Sequence, residues 1–213
     1  MPATASHRQP EPLAWFGTAD GQRLLAAEQQ RIAAILAAKA AAPTLWLHPG
    51  GGAGVSVVAA DVTLRARPGG FDGPLRCGPS LPLASDSFSA VVLQHVPENG
   101  VRGVLAECAR VLEPGGRLWM FALNPVSPYR LRWRRTGLSI RGPGRWRRNL
   151  EDAGLDCSQH PPQWLGPAWR GNGSGSAPSM MRAVCLLQAD KRGPDLILRP
   201  SRPPRWQGGA VPA

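Results

Sequence analysis

A short, unbroken hydrophobic run in the middle of the chain predicts a buried β-strand. The run covers residues 88–96, and the four consecutive residues 90–93 are all apolar. Strands of a parallel sheet that is covered on both faces carry such continuous apolar runs, and this run is too short for a helix. We therefore expect it to lie inside a parallel sheet.

The residues that follow predict a helix and then a second strand. Apolar side chains recur every three or four positions through residues 101–112, which is the pattern of an amphipathic helix. Gly115 and Gly116 can adopt the left-handed backbone that a helix exit needs. Residues 118–123 are again apolar, so the whole segment predicts a right-handed βαβ unit.

An alanine-rich segment near the N-terminus predicts another amphipathic helix, over residues 18–42. The charged and amide side chains of Glu28, Gln29 and Arg31 fall away from its apolar face. That face carries Leu25, Ile32, Ile35 and Leu36. We expect this helix to pack on the sheet as a lid or flanking helix.

The remaining elements lie on either side of the βαβ unit. Residues 44–48 and 62–67 predict two short strands, and the stretch between them is shorter than the usual helix. Residues 146–155 predict a helix, and residues 181–187 predict a last strand. We expect that last strand to close the sheet as an antiparallel edge.

Length and charge narrow the class of protein. At 213 residues the chain suits one domain, over residues 13–198, between a disordered polar leader at 1–12 and a disordered tail at 199–213 that is rich in proline and arginine. Its formal charge of +11 comes almost entirely from arginine. Clustered cations favour nucleic acid, but a solvated basic surface is the alternative, and we favour it.

The cysteines and the hydrophobic stretches predict an ordinary intracellular protein. Four widely spaced cysteines form no Cys-x-x-Cys pair, so we expect separate reduced thiols and no metal site. No uncharged apolar stretch approaches the roughly 20 residues that cross a bilayer, and the N-terminus has no signal-peptide core. We expect a cytoplasmic protein that makes no membrane contact.

Two motifs in the centre of the chain resemble a known family. The run LPLASDSFSAVVLQHV, followed by LAECARVLEPGGRLWMFALNP, is similar to the second half of class I S-adenosylmethionine-dependent methyltransferase domains. The resemblance covers residues 75–125 well and 43–60 loosely. It implies a doubly wound, mostly parallel α/β sheet of Rossmann-like type, with S-adenosylmethionine as the cofactor. The opening WFGTADGQRLLAAE and the basic ending resemble a group of small bacterial methyltransferase-like proteins.

A glycine-rich loop follows the strand at 44–48. Gly50, Gly52 and Gly54 form a G-x-G-x-G pattern, and only a main chain without side chains can approach a nucleotide so closely. The resemblance implies that this loop binds the cofactor. His48 stands where the family has an acid that orients the loop and the methionine end of the cofactor.

Two more acidic contacts of the family are replaced. In the second strand, Ala66 or Arg67 stands where a carboxylate would accept the ribose hydroxyls, and neither side chain can accept a hydrogen bond. Asp61 is the nearest acid, but it precedes that strand and would lie at the wrong end of the sheet. Cys77, followed by Gly78, stands at the acidic position near the adenine. Each lost charged hydrogen bond costs about 1.5–3 kcal/mol.

Gln94 and His95 end the strand at 88–96, at the edge where open α/β sheets bind ligands. The resemblance implies a cofactor contact for Gln94. His95 could act as a general base toward an acceptor O–H or N–H, because an ordinary imidazole titrates near neutral pH. Alternatively, a backbone carbonyl or the next helix satisfies its ring.

A basic segment lies between the two halves of the predicted sheet. Residues 129–149 contain eight arginines together with Trp133 and Trp146, a composition that can bind single-stranded nucleic acid. It can equally form a solvated lid whose tryptophans pack on the sheet, which we favour. The sequence therefore predicts a methyltransferase with an unidentified acceptor and weakened cofactor binding. The alternative is an inactive methyltransferase-like scaffold that binds a protein or nucleic-acid partner through this segment.

Overall fold

The computed structural model describes residues 12–38, 42–50, 60–95, 101–133, 136, 138, 140–168 and 178–193. Gly52 and Gly54, the leader before residue 12 and the tail lie outside them. The helices are α1 (Ala19–Ala37), α2 (Val101–Val111), α3 (Arg130–Trp133) and α4 (Pro143–Asp152), with short 3₁₀ helices at Pro12–Gly17 and Ser179–Met181. The strands are β1 (Thr44–His48), β2 (Val62–Arg67), β3 (Gly70–Asp72), β4 (Phe88–Gln94), β5 (Leu112–Leu123), β6 (Leu155–Asp156), β7 (Gln163–Ala168) and β8 (Arg182–Lys191).

These strands form one sheet with a parallel centre, in the order β3-β2-β1-β4-β5-β8-β6, with β7 also paired to β8. β1 is parallel to β2 and β4, and β4 is parallel to β5. The predicted doubly wound α/β fold is therefore confirmed. The predicted antiparallel edge is also confirmed, because β3 and β6 end the sheet and each is antiparallel to its neighbour. The last strand, β8, does not form that edge, because it pairs with β5 on one side and with β6 and β7 on the other.

The far edge of the sheet is a hairpin. After β2 the chain turns through Pro68 and Gly69 and returns as β3, which pairs antiparallel to β2. Gly69 has φ +77°, a left-handed conformation that glycine adopts without the steric cost of a Cβ atom. Because β3 is antiparallel to β2, the two strands need no crossover helix between them, and two residues are enough to join them.

Helices cover both faces of the sheet, and the alternation along each strand decides which side chain faces which helix. Val91 and Leu93 of β4 pack in the core shared with α2 and α4. Ala90 and Val92 pack in the core shared with α1 and the N-terminal 3₁₀ helix. The same alternation places Gln94 on the α1 face.

The segment that resembles the family is fastened by an ion pair on α2. Glu107 accepts a hydrogen bond from the backbone N–H of Leu81 at 2.8 Å. Arg110 pairs with Glu107 and donates to the carbonyl oxygens of Leu81 and Leu83, both at 2.8 Å. The hydrogen bond from Arg110 holds the pKa of Glu107 below its usual value. The pair therefore fixes the loop that leads into β4.

A lysine ties β8 to the end of α2. Lys191 donates to the carbonyl oxygens of Ala109 and Leu112, both at 2.7 Å, and pairs with Asp86 at 2.7 Å. A cation at this position satisfies carbonyl groups that the helix end leaves without partners. It thereby joins the antiparallel strand β8 to the end of α2 and to the loop before β4.

Several predicted boundaries shift. α1 ends at Ala37, five residues before the predicted end, and α4 begins at Pro143, three residues before the predicted start. β5 begins at Leu112 and contains Gly115, whose φ of +81° confirms the predicted left-handed glycine. None of the described helices is long and apolar enough to span a membrane.

Candidate functional site

The carboxyl ends of β1, β2, β4 and β5 meet at one edge of the sheet. Leu47 lies opposite Leu93 in the register of β1 and β4, so the next residues, His48 and Gln94, are level with each other. Gln94 in turn lies opposite Phe121 of β5. Ligands of open α/β sheets bind at this edge, and four of the predicted site residues, including His95 and Gly50, lie along it.

At the end of β1, His48 and Gly50 shape a tight turn. The backbone N–H of Gly50 donates to Nδ1 of His48 at 3.2 Å. Burial, together with the nearby positive charge of Arg65, lowers the pKa of His48 to about 4. Gly50 has φ +74°, and a Cβ atom there would lie 2.7 Å from Cδ of Arg65. The first position of the glycine motif therefore needs glycine, and His48 is a neutral hydrogen-bond acceptor.

The end of β2 carries arginines, as the sequence predicts. Arg65 lies opposite His48 in the register and pairs with Asp72 at 3.0 Å. Arg67 donates to the carbonyl oxygens of Phe71 and Cys77 at 3.4 and 3.3 Å. The guanidinium groups at this end of the strand therefore bond within the edge hairpin and its neighbouring loop.

Asp61 lies at the opposite end of the sheet, which confirms the prediction for this residue. Its carboxylate accepts hydrogen bonds from the backbone N–H and the hydroxyl of Thr44, at 2.8 and 2.9 Å. These two bonds hold the pKa of Asp61 below its usual value. The carboxylate therefore anchors the start of β1.

Cys77 and Gly78 lie beside the edge hairpin. Cys77 exchanges two backbone hydrogen bonds with Phe71, at 2.9 and 3.0 Å. Burial raises the pKa of the half-buried Cys77 thiol, which therefore remains protonated at neutral pH. Gly78 is exposed, and among the described residues no atom outside its two chain neighbours lies within 4 Å of where its Cβ would be. This position thus offers open main chain and a neutral thiol.

A buried carboxylate that sequence reasoning missed joins Gln94 and His95. Glu28 of α1 accepts from Nε2 of Gln94 at 2.6 Å and lies 2.7 Å from Nε2 of His95. The side chains of Glu28 and His95 are 0% and 1% exposed. The prediction that Glu28 lies away from the apolar face is wrong. Its position four residues before the buried Ile32 was the available signal, since residues four apart share a helix face.

His95 has a strained backbone and a crowded ring. Its φ is +46°, and such a conformation costs a non-glycine residue about 1–3 kcal/mol. The ring of Phe16 stacks on the imidazole with centroids 5.0 Å apart. Within the described part of the chain, Nδ1 of His95 has no hydrogen-bond partner although it is buried. The strain and the unpartnered nitrogen distinguish this histidine from one that is merely satisfied by the core.

Aromatic side chains from the N-terminal 3₁₀ helix and from α3 cover this region. Trp15 contacts Phe16 and Trp133 edge to face, at 5.1 and 6.0 Å, and Tyr129 stacks on Trp133 at 6.1 Å. Trp133 is fully buried on the α1 face. Trp146 packs instead in the core on the opposite face of the sheet. Both tryptophans therefore pack on the sheet, as the lid interpretation of the basic segment predicts.

A small cleft opens between α1 and the sheet beside Gln94. Its volume is about 280 Å³ with its open mouth included, and its walls contain Trp46, Gln22 and Gln29. Among the described residues, no group of three or more His, Cys, Asp or Glu side chains could hold a metal ion. The described groups of this edge are therefore main chain, amides, imidazoles, the Arg65–Asp72 pair, the guanidinium of Arg67, the thiol of Cys77 and the buried carboxylate of Glu28.

Comparison with known proteins finds one family model that matches part of the chain. The model of the methyltransferase domain family matches residues 74–120, which contain β4, α2 and most of β5. No curated protein sequence matches the chain. Among solved structures, a possible exported protein from Bordetella parapertussis aligns at 14% identity and a TM-score of 0.39 over 63% of this chain, which spans 45% of that protein's length.

Two solved methyltransferases show the fold more fully. A SAM-dependent methyltransferase from Archaeoglobus fulgidus is 10% identical with a TM-score of 0.50, over 76% of this chain and 94% of that one. Geranyl diphosphate C-methyltransferase from Streptomyces coelicolor, solved with Mg²⁺, geranyl diphosphate and S-adenosyl-L-homocysteine, is 16% identical with a TM-score of 0.50, over 76% and 79%. Residues 74–120 therefore resemble the methyltransferase domain family, and the two solved structures share the fold of this chain.

Proposed function

We propose that the protein transfers a methyl group from S-adenosylmethionine to an acceptor that is still to be identified. The observation that carries the proposal is that the family match covers β4, α2 and β5, and that β4 ends in a polar, strained site at the ligand-binding edge. In this proposal the cofactor lies along His48, Gly50, Gly52, Gly54, Cys77, Gly78 and Gln94. His95 is the proposed catalytic base.

The main chain at this edge fits an adenosyl group. Gly50 turns the chain with φ +74° directly after β1, and Gly78 leaves open space where a side chain would stand. The carboxylates that the family resemblance implies are replaced by the neutral His48, by Arg67 and by the protonated thiol of Cys77. We therefore expect the cofactor to bind through main-chain groups, more weakly than it would with charged partners.

When bound, the cofactor supplies an electrophilic methyl group, whose bond to sulfur breaks with its electron pair left on sulfur while an acceptor lone pair forms the new bond to carbon. This chemistry depends mainly on alignment, so the enzyme needs little acid or base catalysis. The residues at the end of β4 then only need to orient the acceptor and to accept its proton. His95 is the side chain of this edge suited to that second task.

Binding of S-adenosylhomocysteine tests the proposal, because a ligand that binds only the native state raises its melting temperature. We expect a rise at millimolar ligand for the wild-type protein and for Gly69→Ala, and none for Gly50→Ala. Both glycines have positive φ, but only a Cβ at position 50 would approach Arg65. Gly69→Ala therefore controls for the effect of backbone strain alone. No rise in the wild type, or an equal rise in Gly50→Ala, would refute the proposal.

A second candidate function is an inactive scaffold that binds a partner through its basic segment. The replacement of acids by Arg67, His48 and Cys77 favours it, as does the aromatic cover over His95. In this case S-adenosylhomocysteine leaves the melting temperature unchanged, and a fluorescent single-stranded RNA oligonucleotide binds with an affinity that falls steeply with salt. An affinity that does not change with salt would exclude nucleic acid as the partner.

A further inference from the structure

The unpartnered Nδ1 of His95 is the buried polar atom at this edge that most needs an explanation. Buried nitrogen atoms in native proteins nearly always have a hydrogen-bond partner, and exceptions often mark functional positions. Within the described residues Nδ1 has none, whereas Nε2 of the same ring lies 2.7 Å from Glu28. Glu28 therefore holds Nε2, whereas no described group bonds to Nδ1.

The surroundings of Glu28 indicate which nitrogen carries the proton. An ionised carboxylate only accepts hydrogen bonds, and here its Oε2 accepts from Gln94 at 2.6 Å while its Oε1 faces Nε2 of His95. If Glu28 is ionised, it accepts from both neighbours and the ring hydrogen lies on Nε2. In a neutral imidazole the other nitrogen, Nδ1, then keeps its lone pair and is the basic atom.

We propose that Glu28 is a positioning residue that fixes the proton on Nε2 of His95 and leaves Nδ1 to accept a proton from the methyl acceptor. This inference rests on the proposed function and assigns the base within it. As the acceptor oxygen or nitrogen forms its bond to the methyl carbon, its own O–H or N–H bond breaks and the proton passes to Nδ1. The imidazolium that results is stabilised by the carboxylate of Glu28.

The same pair limits the chemical class of the acceptor. The acceptor must carry an O–H or N–H group, because otherwise it has no proton to lose at Nδ1. It should bear no negative charge near the site, since the buried carboxylate of Glu28 would repel it in a medium of low dielectric constant. Phe16 stacks on the ring, so an acceptor that reaches Nδ1 displaces part of this cover. A neutral hydroxyl compound or amine fits these conditions.

A purely structural role for the pair predicts a different behaviour of the ring. If Glu28 and His95 only fasten α1 to the end of β4, Nδ1 stays enclosed and gains no proton until the protein unfolds. If Nδ1 is the base, it gains a proton in the folded protein, and the carboxylate strengthens that proton binding. Among the described residues, Glu28 is the charged group in contact with the ring, while Phe16 and Gln94 are neutral.

The test is a pH titration of the full chain, labelled with ¹⁵N-histidine, by long-range proton–nitrogen NMR. His95 is assigned by comparison with His95→Gln. We expect Nε2 to be protonated throughout and Nδ1 to gain its proton as the pH falls. Glu28→Gln should move the midpoint to lower pH, because an opposite charge in contact with the ring favours the cation. Glu28→Asp should restore part of the shift, and Glu107→Gln, on α2, should leave the midpoint unchanged.

Three results of this experiment would refute the role proposed for Glu28 and His95. A proton on Nδ1 in the neutral ring, no titration of Nδ1 before unfolding, or an unchanged midpoint in Glu28→Gln would overturn it. The first two results come from the wild-type protein alone, so they hold even if the variant does not fold. S-adenosylhomocysteine binding by the same samples separates the two proposals. Its absence would refute the proposed function, whereas normal binding with an unexpected titration would refute the role of Glu28 alone.

Discussion

Replacement of Glu28 by alanine tests whether the buried carboxylate holds α1 on the sheet. The side chain is 0% exposed and accepts from Gln94 at 2.6 Å, and its other oxygen faces His95 at 2.7 Å. Glu28→Ala leaves both partners buried without an acceptor. Removing one member of a buried charged network costs about 3–5 kcal/mol, a large share of the about 5–15 kcal/mol that stabilises a typical domain.

Urea unfolding followed by tryptophan fluorescence measures this cost, because Trp15, Trp46 and Trp133 lie in the core beside α1. At about 2–4 °C per kcal/mol for a chain of this size, the melting temperature should fall by roughly 10 °C. Gln30→Ala on the exposed side of the same helix is the control and should change the free energy of unfolding by less than about 0.5 kcal/mol. A cost below about 1 kcal/mol for Glu28→Ala would show that the carboxylate does not hold this contact.

Three further predictions concern the rest of the fold. Lys191→Met should lower the free energy of unfolding by about 2 kcal/mol, because the carbonyl oxygens at the end of α2 lose a charged donor; urea unfolding measures it, and Lys191→Arg should lose less. Because the pKa of Asp61 is lowered in the folded state, its contribution is complete above the unfolded value near about pH 4 and is lost as the pH falls through the lowered pKa. Asp61→Asn should therefore flatten part of the acid limb of a stability–pH curve, and an unchanged limb would contradict the bonds from Thr44. An aromatic disulfide reagent should modify Cys77 in the native protein and the other three thiols only after unfolding. Burial raises the pKa of Cys108 and of Cys185 to about 12 and that of Cys157 to about 11.

The side chains that replace the acids of the family affect how strongly the cofactor would bind. The resemblance implies acids at the positions of His48 and Cys77 and at the end of β2, where Arg67 stands. The structure describes a neutral imidazole, a protonated thiol and hydrogen-bond donors there. These groups can orient a nucleoside through hydrogen bonds, but they supply no counter-charge for a sulfonium. Weak binding is therefore the natural expectation for this edge of the sheet.

Local patterns in the sequence determined the central βαβ unit. The run at 88–96, the helical spacing through 101–112 and the apolar residues 118–123 predicted β4, α2 and the second half of β5, because each pattern reflects contacts with one face of its own element. The absence of an acid at the end of β2 and the position of Asp61 also followed from strand order alone. These features require no knowledge of distant partners.

Only the tertiary structure decided which polar side chains meet at the edge of the sheet. Glu28 lies 66 and 67 positions from Gln94 and His95, and a charged residue on a predicted helix is ordinarily assigned to solvent. Its burial depends on the way α1 crosses the end of β4. In the same way, β8 lies inside the sheet because β6 and β7 pair with its free side. Strand pairing and the burial of a single carboxylate are set by contacts between segments far apart in the chain, and no local periodicity records them.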